Sequence, residues 1–353
     1  SLGRETEEDL SIRFLKRSEG VKSITLNLKD PEGKRMFLEL AKGADVVVEN
    51  LSPGSMTRLG LGYADVVKVN PGIVYCSIAG YGQTGPYKDL PAHDHQIQAM
   101  SGIMDMNGAA DGPPTRVGVF VGDLVTPLYA AYSILGALRH KEKTGEGQYL
   151  DASMIDTLAT LMFMEPMEDA LHDGQPVRAG NDSRQGLTGL YRLSDGDVII
   201  TLGGLVRWQN LCKALGADEL LANPRYATVD DRERHVEELR QVIQDRLGKF
   251  NCKDGIALLA GANIPIARVR TLPEVMQDEH FRDRGTLKPM YRQDSDEPVE
   301  RGIVAGFPVT FSSGPLPQLE GGAKLGHHNE EVYGRLLDLD AAALAELKER
   351  GIL

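Results

Sequence analysis

The stretch DVVVENLSPGSMTRLGLGYADVVKVNPGIVYCSI, residues 45–78, determines the fold class. It begins with DVVVEN (45–50), a short and continuously apolar run of the kind that is buried in a parallel sheet. It ends with IVYCSI (73–78), a second strand-like run, and the helix-like segment LGYADVVKVN precedes that run. A strand, a helix and a strand in this order predict an open α/β sheet.

The flanking segments continue this alternation on both sides. On the N-terminal side, KSITLNL (22–28) alternates like a short strand, and Asp30 and Pro31 mark the start of a helix. On the C-terminal side, TRVGVFVGD (115–123) and YLDASM (149–154) are predicted strands. Between them, LVTPLYAAYSILGALRH (124–140) predicts a helix so apolar that we expect it to be buried. The sequence therefore predicts an α/β domain with an open parallel, Rossmann-like sheet.

The residue composition and pattern of the sequence change after about residue 172. A helix is predicted over 155–172, and DGQPVRAGNDSRQG (173–186) is rich in glycine and polar residues. LYRLSDGDVIITL (190–202) then predicts a hairpin with Asp195 and Gly196 at its turn. We expect a large α/β domain over 1–175, a linker over 176–189, a smaller α+β domain over 190–312, and a C-terminal segment over 313–353 that ends in helix.

Composition excludes several classes of protein. The 353 residues carry a net charge of −12, which disfavours nucleic acid as a partner. No apolar run is expected to reach the ~20 residues of a membrane span, and the acidic opening SLGRETEEDL resembles neither a signal nor a transit peptide. The three cysteines are scattered without CxxC spacing, which is typical of a reducing compartment and disfavours structural zinc. We expect a cytoplasmic protein without a membrane partner.

GYGQTG, residues 80–85, matches the spacing of a dinucleotide-binding turn and directly follows a predicted strand. A true fingerprint continues into a helix and has an acidic residue at a strand end about twenty positions later. Here Pro91 would interrupt a helix that started after Gly85, and Asp105 lies near the end of a predicted helix. The context argues against a nicotinamide or flavin site and favours a loop that approaches a ligand closely.

Asp123 is the first candidate for chemistry, because it joins a predicted strand to the most apolar helix. It could be only the N-cap of that helix, or a carboxylate at the positive end of the helix dipole that acts as nucleophile or base. His93, Asp94 and His95 form a second cluster, in which Asp94 and His95 could cap a helix starting near Gln96. Neighbouring residues on a short loop seldom converge on a metal, so a metal site is disfavoured.

A serine hydrolase and a phosphate-binding site are two further kinds of site to consider. The chain has no GxSxG sequence, so a serine hydrolase is not supported. Five basic residues are candidates for phosphate contacts, although for each one singly a solvated surface charge is the better interpretation: Arg58, Arg116, Arg139, Lys141 and Lys143.

Several segments together resemble the family III CoA-transferases, the CaiB/BaiF family. The similarity runs from about Lys22 to the end of the chain, and its segments are DVVVENLSPGSMTRLGLGY, NPGIVYCSIAGYGQTGPY, HDHQIQAMSGIMDMNG, GPPTRVGVFVGDLVTPLYAAYSILGALRHKEKTGEGQYLDASMID, LYRLSDGDVIITL and LGHHNEEVYG. Members of that family normally begin with a strand and a glycine-containing turn ahead of the point where this chain starts. We therefore expect that this N-terminal opening is absent here.

The resemblance implies roles for individual residues. Asp123 matches the aspartate that carries the aspartyl-CoA thioester, and Met154 matches a methionine that lines the CoA site. Arg58 matches a contact to the nucleotide end of CoA, and Asn50 lies in the same wall. The loop with Gly80, Tyr81 and Gly82 is expected beneath the acyl-CoA. The family's glycine-rich loop corresponds to AGNDSRQGLTG (179–189), which lacks the run of glycines.

The resemblance also implies that the C-terminal segment 313–353 returns to the large domain, and it implies substrates and assembly. The expected reaction transfers CoA from an acyl-CoA, such as succinyl-CoA, to a small carboxylic acid, without a metal or redox cofactor. Members of the family are homodimers in which two chains pass through each other like linked rings.

Two alternatives to a CoA-transferase remain open. The related α-methylacyl-CoA racemases have a His-Asp pair where many transferases have a tyrosine, and here His93 and Asp94 occupy that place. In a racemase, His93 and Asp123 would be the two bases that exchange the α-proton. The segments GDLVTPLYAAYS and QAMSG favour the transferase. The second alternative is a CoA-binding chain without turnover, in which Asp123 is only a helix cap.

Overall fold

The structure, a computed structural model, describes residues 10–163, 172, 178–182, 186–293, 295–314, 316 and 318–353. The elements up to residue 163 are α1 Ile12–Arg17, α2 Pro31–Lys42, β1 Val46–Glu49, α3 Ser55–Leu59, α4 Tyr63–Val69, β2 Val74–Ala79, α5 Asp94–Ser101, α6 Ile103–Met106, α7 Val121–Thr144, β3 Gln148–Ser153 and α8 Met154–Phe163. The later ones are β4 Gly189–Leu193, β5 Gly196–Ile200, α9 Gly204–Ala214, α10 Asp218–Ala222, a 3₁₀ turn Pro224–Tyr226, α11 Val229–Arg234, α12 Val236–Leu247, α13 Cys252–Gly261, β6 Ile266–Arg268, α14 Leu272–Gln277, α15 Glu279–Asp283, β7 Leu287–Arg292, β8 Ser295–Ala305, α16 Asn329–Leu337 and α17 Ala341–Glu349.

The chain folds into two compact units. Unit 1 comprises Ser1–Pro91, Thr126–Ser153 and Leu272–Leu353, and unit 2 comprises Ala92–Val125 and Met154–Thr271. These bounds differ from the predicted linear division into 1–175 and 190–312, since each unit gathers segments that are far apart in the chain. Strands β7 and β8, which we had assigned to the smaller domain, belong to unit 1.

Unit 1 contains the predicted parallel sheet, in the order β1-β2-β3. Val46 is aligned with Val74, and Val74 with Gln148, so β2 is the central strand. Val74, Tyr75 and Cys76 of β2 are completely or almost completely buried, as expected of a parallel strand covered on both faces. The strands predicted at 45–50, 73–78 and 149–154 are confirmed.

Helix α2 shows how local signals set the helix starts of unit 1. The Asp30 side chain accepts a hydrogen bond from the Glu32 amide at 2.8 Å, and Pro31 occupies the first helical position. Further along the helix, Met36 is fully buried against Tyr333 and the last helix of the chain. This contact ties the C-terminal segment into unit 1.

The predicted strand at 22–28 is wrong, because this segment bonds to side chains and a chain end instead of to a neighbouring strand. The Ser23 amide donates to His328 Nδ1 at 2.9 Å, and the Thr25 amide donates to Asn329 Oδ1 at 2.9 Å. The Asn27 amide donates to the carbonyl of Ile352 at 2.8 Å. These three amides are thus satisfied without a strand ladder.

Unit 2 contains the antiparallel sheet β4-β5-β6. The predicted hairpin is confirmed, but Leu193 pairs with Gly196, so its turn residues are Ser194 and Asp195 instead of Asp195 and Gly196. The sheet and its helices enclose one apolar core, which includes Trp208 and Leu239. Of the helix predicted over 155–172, the structure describes α8 to Phe163, and residues 164–171 lie outside the described part.

The strand predicted over 115–123 is also wrong. Its Val117 amide donates to the Gln98 side chain at 3.0 Å, and its Val119 carbonyl accepts from the same side chain at 3.1 Å. One buried carboxamide therefore takes the place of a partner strand, and the segment is irregular until α7 begins at Val121.

Helix α7 spans the predicted apolar segment, but the expectation that it is buried is wrong for this chain. Leu128, Tyr132 and Leu135 are 67%, 69% and 67% exposed, and their spacing of four and three residues puts them on one face. By length and composition alone α7 could cross a membrane, with 22% of its most apolar window buried. The expectation that no run approaches a span therefore does not hold for this helix.

The three cysteines are expected to be chemically silent in the native protein. Cys76, Cys212 and Cys252 are all buried and unbridged, and burial raises the pKa of Cys212 to about 12 and raises that of Cys76. We expect native protein at pH 8 to react with a thiol-disulfide reagent at least ~100-fold more slowly than protein in urea. A rapid native reaction of even one thiol would contradict this burial.

Candidate active site

Asp94 is the centre of the candidate site in unit 2. It is the first residue of α5 and only 3% exposed. Its Oδ1 accepts from the Gly122 amide at 2.7 Å and from the Asp123 amide at 3.3 Å. These amides belong to the first turn of α7, whose N–H groups have no partner within the helix. Asp94 therefore caps a second helix that starts 27 residues later.

Gln98 holds Asp94 in place. It is fully buried one turn after Asp94 on α5, and its Nε2 donates to Asp94 Oδ2 at 2.6 Å. The same nitrogen donates to the Val119 carbonyl, and its oxygen accepts from the Val117 amide. Both carboxylate oxygens of Asp94 are thus bonded, and the segment that leads into Asp123 is fixed by the same network.

Asp123 is the third residue of α7 and is exposed. The hypothesis that it is the N-cap of this helix is wrong, because Asp94 supplies the capping carboxylate. The positive end of α7 therefore interacts with two carboxylates, one buried and bonded to the amides and one exposed. An exposed carboxylate in a fixed first turn is able to act as a nucleophile toward a bound thioester.

Gly122 allows the two helices to approach. A Cβ built at this position would lie 3.1 Å from Asp94 Oδ1 and 3.1 Å from the terminal methyl of Met154. Either distance is shorter than an ordinary contact, so a side chain at position 122 would push Asp94 or Met154 away. Met154, predicted to line the CoA site, thus packs against the turn that carries Asp123, at the start of α8.

His93 directly precedes α5 and is exposed. Its backbone amide donates to Gln96 Oε1 at 3.1 Å, so the helix start is at Asp94 instead of the predicted Gln96. His95 is exposed as well, and its ring meets Phe120 edge-on with centroids 5.4 Å apart. The structure thus brings His93, Asp94 and Asp123 to two neighbouring helix ends, with Asp94 as the link.

The other predicted residues lie at the carboxyl edge of the parallel sheet in unit 1. Asn50 follows β1 and is exposed, and Gly80 follows β2. The buried Gly82 has a φ of 79°, which favours glycine. The next amide, that of Gln83, donates to both carboxylate oxygens of Asp151, at 3.1 and 2.9 Å. No helix follows GYGQTG before Asp94, which agrees with the rejection of a dinucleotide site.

Arg58 lies on α3, near the same loop. Its Nη2 donates to Ser55 Oγ at 2.8 Å and its Nη1 donates to the Pro53 carbonyl at 3.2 Å. The neighbouring Gly54 amide donates to the side chain of Gln83 at 3.4 Å. Within unit 1, the residue before α3, the helix that carries Arg58, is thus hydrogen-bonded to the GYGQTG loop. Tyr81 is 8% exposed and packs edge-on against Tyr87.

Three of the other cations considered for phosphate contacts have partners within the chain. Lys141 pairs with Asp45 at 3.0 Å, Arg139 pairs with Glu142 at 2.8 Å, and Arg116 lies 5.9 Å from the Phe120 ring centroid. Lys143 is exposed. The part of the chain that the structure describes contains no cluster of three His, Cys, Asp or Glu residues able to hold a metal.

Sequence reasoning missed Gln98 and the need for glycine at 122. A carboxamide four residues after Asp94 lies on the same helix face, which was a usable signal for Gln98. The bonds from that helix to residues 117–123 had no signal in the sequence, because they join segments about twenty to thirty positions apart.

Comparison with known proteins agrees with this geometry. The model of CoA-transferase family III matches residues 1–329. A succinate–glutarate CoA-transferase of Agrobacterium fabrum is 31% identical over 92% of this chain and 80% of its own. A succinyl-CoA:mesaconate CoA-transferase of Haloarcula hispanica is 33% identical over 94% of this chain and 83% of its own.

The solved structures give the same result. A CaiB/BaiF family protein from Brucella suis is 30% identical, with a TM-score of 0.80 over 94% of this chain and 86% of its own. The family match covers most of the chain, including the helix ends that hold Asp94 and Asp123. The chain therefore belongs to CoA-transferase family III.

Proposed function

We propose that this protein moves CoA from an acyl-CoA to a carboxylic acid through an aspartyl-CoA thioester on Asp123. The observation that carries the proposal is the exposed Asp123 carboxylate in the first turn of α7, a turn that Asp94 holds by its amides. Such a carboxylate is positioned before substrate binds, so little reorganisation is needed on attack.

The reaction proceeds in balanced steps. An Asp123 carboxylate oxygen attacks the thioester carbonyl of the donor; its C–S bond breaks, leaving a mixed anhydride and CoA thiolate. The thiolate attacks the aspartyl carbonyl, and the donor acid leaves as a carboxylate. The acceptor carboxylate then attacks the aspartyl thioester, and the released thiolate takes the acyl group of the new anhydride, which restores Asp123. Covalent capture divides one difficult exchange into easier steps.

Donors for the oxyanions must come from groups other than the amides of Gly122 and Asp123. Both amides already donate to Asp94. Asp94 is a positioning residue in this scheme, because both of its oxygens are bonded and its carboxylate is buried. His93 is exposed beside it, within the same helix start.

For the CoA moiety, we propose the carboxyl edge of the parallel sheet in unit 1. Asn50, Arg58 and the loop of Gly80, Tyr81 and Gly82 line this edge, and Met154 follows β3 in the chain. Ligands of open α/β sheets bind at the carboxyl ends of the strands. We propose a short dicarboxylic acid as the acyl group, because the relatives described above are named for succinate, glutarate and mesaconate.

Intact-protein mass spectrometry tests this proposal. After incubation with succinyl-CoA or glutaryl-CoA, we expect a CoA-sized adduct that hydroxylamine removes, and exchange of label between glutarate and the CoA thioester. The racemase alternative predicts no adduct, but entry of deuterium at the α-carbon of a 2-methylacyl-CoA in heavy water, with His93 and Asp123 as the two bases. That result would overturn the transferase.

We also propose that the protein is a homodimer that uses the exposed face of α7. An apolar face of Leu128, Tyr132 and Leu135 is costly in water, and a second copy of the chain would cover it. The resemblance to a family of interlocked dimers supports the same assembly.

Replacing Leu135 by glutamate is expected to shift the protein from dimer to monomer, because a charge in a buried interface lacks a partner. Size-exclusion chromatography with light scattering gives the mass directly. The matched control is Leu336→Glu on α16, where the side chain is also exposed. A Leu135→Glu variant that stays dimeric would place the interface elsewhere.

A further inference from the structure

Unit 2 contains a cavity of about 200 Å³ that the proposed mechanism does not use. Leu187, Leu202 and Trp208 form much of its wall. Its volume is that of about seven liquid waters, which suits a four- or five-carbon acid. One cation, Arg232, also lines it.

Arg232 is a buried charge that forms no ion pair with any residue that the structure describes. It is 7% exposed, and its Nη1 donates to the carbonyls of Tyr226 at 3.0 Å and Ala227 at 3.3 Å. The guanidinium lies 5.5 Å from the centroid of the Trp208 ring. Neither Nη2 nor Nε has an acceptor among the residues that the structure describes, so donors remain for a ligand in the cavity.

The carboxylates closest in sequence do not neutralise this charge. Asp231 caps α11 by bonding to Thr228 and pairs with Arg234 at 2.8 Å. Glu233 is exposed at the cavity and forms no ion pair with Arg232 in the described part of the chain. Burial lowers the pKa of Arg232 from its ordinary value, but a guanidinium remains protonated at neutral pH. A buried unpaired cation favours an anionic ligand.

A second, independent feature points to the same ligand. The 11-residue helix α9 starts at this cavity with Gly203 as its N-cap, and no side chain caps its first amides. Its first turn contains no acidic residue. A Cβ built on Gly204 would meet nothing within 4 Å, so the wall is open there. Uncapped amides at a helix start bind anions.

We propose that this cavity binds the carboxylate of a short aliphatic acid, with Arg232 and the first amides of α9 on the anionic end. The methylene groups would lie against Leu187, Leu202 and Trp208. These apolar walls and the charge of Glu233 favour a carboxylate group, which carries one negative charge, over a phosphate group, which carries more. Identifying the ligand as the acceptor acid, or as the free end of the acyl group, rests on the proposed CoA transfer; the anion site itself does not.

Isothermal titration of the full-length protein with glutarate, and with its uncharged diamide, tests the site. We expect glutarate to bind and the diamide not to bind, and Arg232→Gln to weaken glutarate binding at least tenfold. The matched control is Arg234→Gln on the same helix, which removes an exposed charge of the same type and should bind like the wild type. Equal binding by Arg232→Gln would overturn the proposal.

Gly203→Leu separates a binding role of the cavity from a structural role of Arg232. The backbone at 203 has φ −112° and ψ 136°, which leucine tolerates, and the nearest atom to a new Cβ is Arg207 Nη1 at 3.7 Å. The side chain should obstruct the cavity without touching the bonds of Arg232. We expect it to lose glutarate binding with an unchanged melting temperature; retained binding would overturn the site.

A parallel adduct measurement keeps the two proposals apart. If the wild type forms the adduct on Asp123 but does not bind glutarate, the cavity proposal fails and the transferase stands. If glutarate binds through Arg232 but no adduct forms, the transferase fails and the anion site stands. If both the cavity proposal and the transferase proposal hold, Arg232→Gln should raise KM for the acceptor acid at least tenfold with little change in kcat.

Discussion

Replacing Asp123 by alanine is expected to remove CoA transfer, lowering kcat by roughly 10⁴-fold or more. The reason is covalent: without this carboxylate neither the mixed anhydride nor the aspartyl-CoA thioester is able to form. The first turn of α7 should survive, since the amides of Gly122 and residue 123 still donate to Asp94. Stability is therefore expected to change little, which separates the loss of chemistry from a loss of fold.

The measurement combines transfer kinetics with intact-protein mass spectrometry on the same preparation. Asp111→Ala is the matched control, because Asp111 is an exposed aspartate in the same unit, and it should keep both activity and adduct. An adduct that persists in Asp123→Ala would assign the nucleophile to another residue. If the wild type forms no adduct but exchanges the α-proton of a 2-methylacyl-CoA, and Asp123→Ala loses that exchange, the racemase is favoured instead.

Replacing Asp94 by asparagine is expected to reduce both stability and activity, although the two side chains have nearly the same shape. The new Nδ2 would face Gln98 Nε2, which lies 2.6 Å from the present Oδ2. The carboxamide of Gln98 is unable to rotate by ~180° without losing hydrogen bonds, because its oxygen accepts from the Val117 amide and its nitrogen donates to the Val119 carbonyl. Two N–H donors, one from each side chain, would thus face each other at a buried position. We expect a loss of about 2 kcal/mol in the free energy of unfolding.

The activity of Asp94→Asn is expected to fall by about 10²-fold, because the turn that carries Asp123 loses its fixed position. Urea denaturation gives the stability, and kcat at saturating substrate gives the activity. Gln98→Glu alone should also destabilise, since two carboxylates would meet. The double variant Asp94→Asn/Gln98→Glu restores a donor opposite an acceptor and should recover part of the loss. Strict additivity of the two changes would contradict the network.

Features set by neighbouring residues were predictable. Asp30 and Pro31 mark the start of α2 because a cap and a fixed φ act within one turn. The apolar runs at 45–50 and 73–78 form strands because their periodicity reports burial on both faces. The resemblance of longer segments was enough for the family.

Features set by distant residues were not predictable. RVGVFVG has the composition of a strand, but Gln98 satisfies its backbone from another helix. KSITLNL has the alternation of a strand, but His328 and Asn329 occupy its amides. In both cases hydrogen-bond partners from elsewhere in the chain override a local preference.

The sequence by itself determined the parallel sheet, the start of α2, the family, and the candidacy of His93, Asp94 and Asp123, since each depends on residues close together in the chain. Only the tertiary structure decided what Asp94 does. It is the cap of α7 and the support of Asp123, because a helix start has unsatisfied amides that a buried carboxylate from another segment is able to bind. The same holds for Arg232, which has no ion-pair partner among the described residues because of packing and not because of its neighbours in sequence.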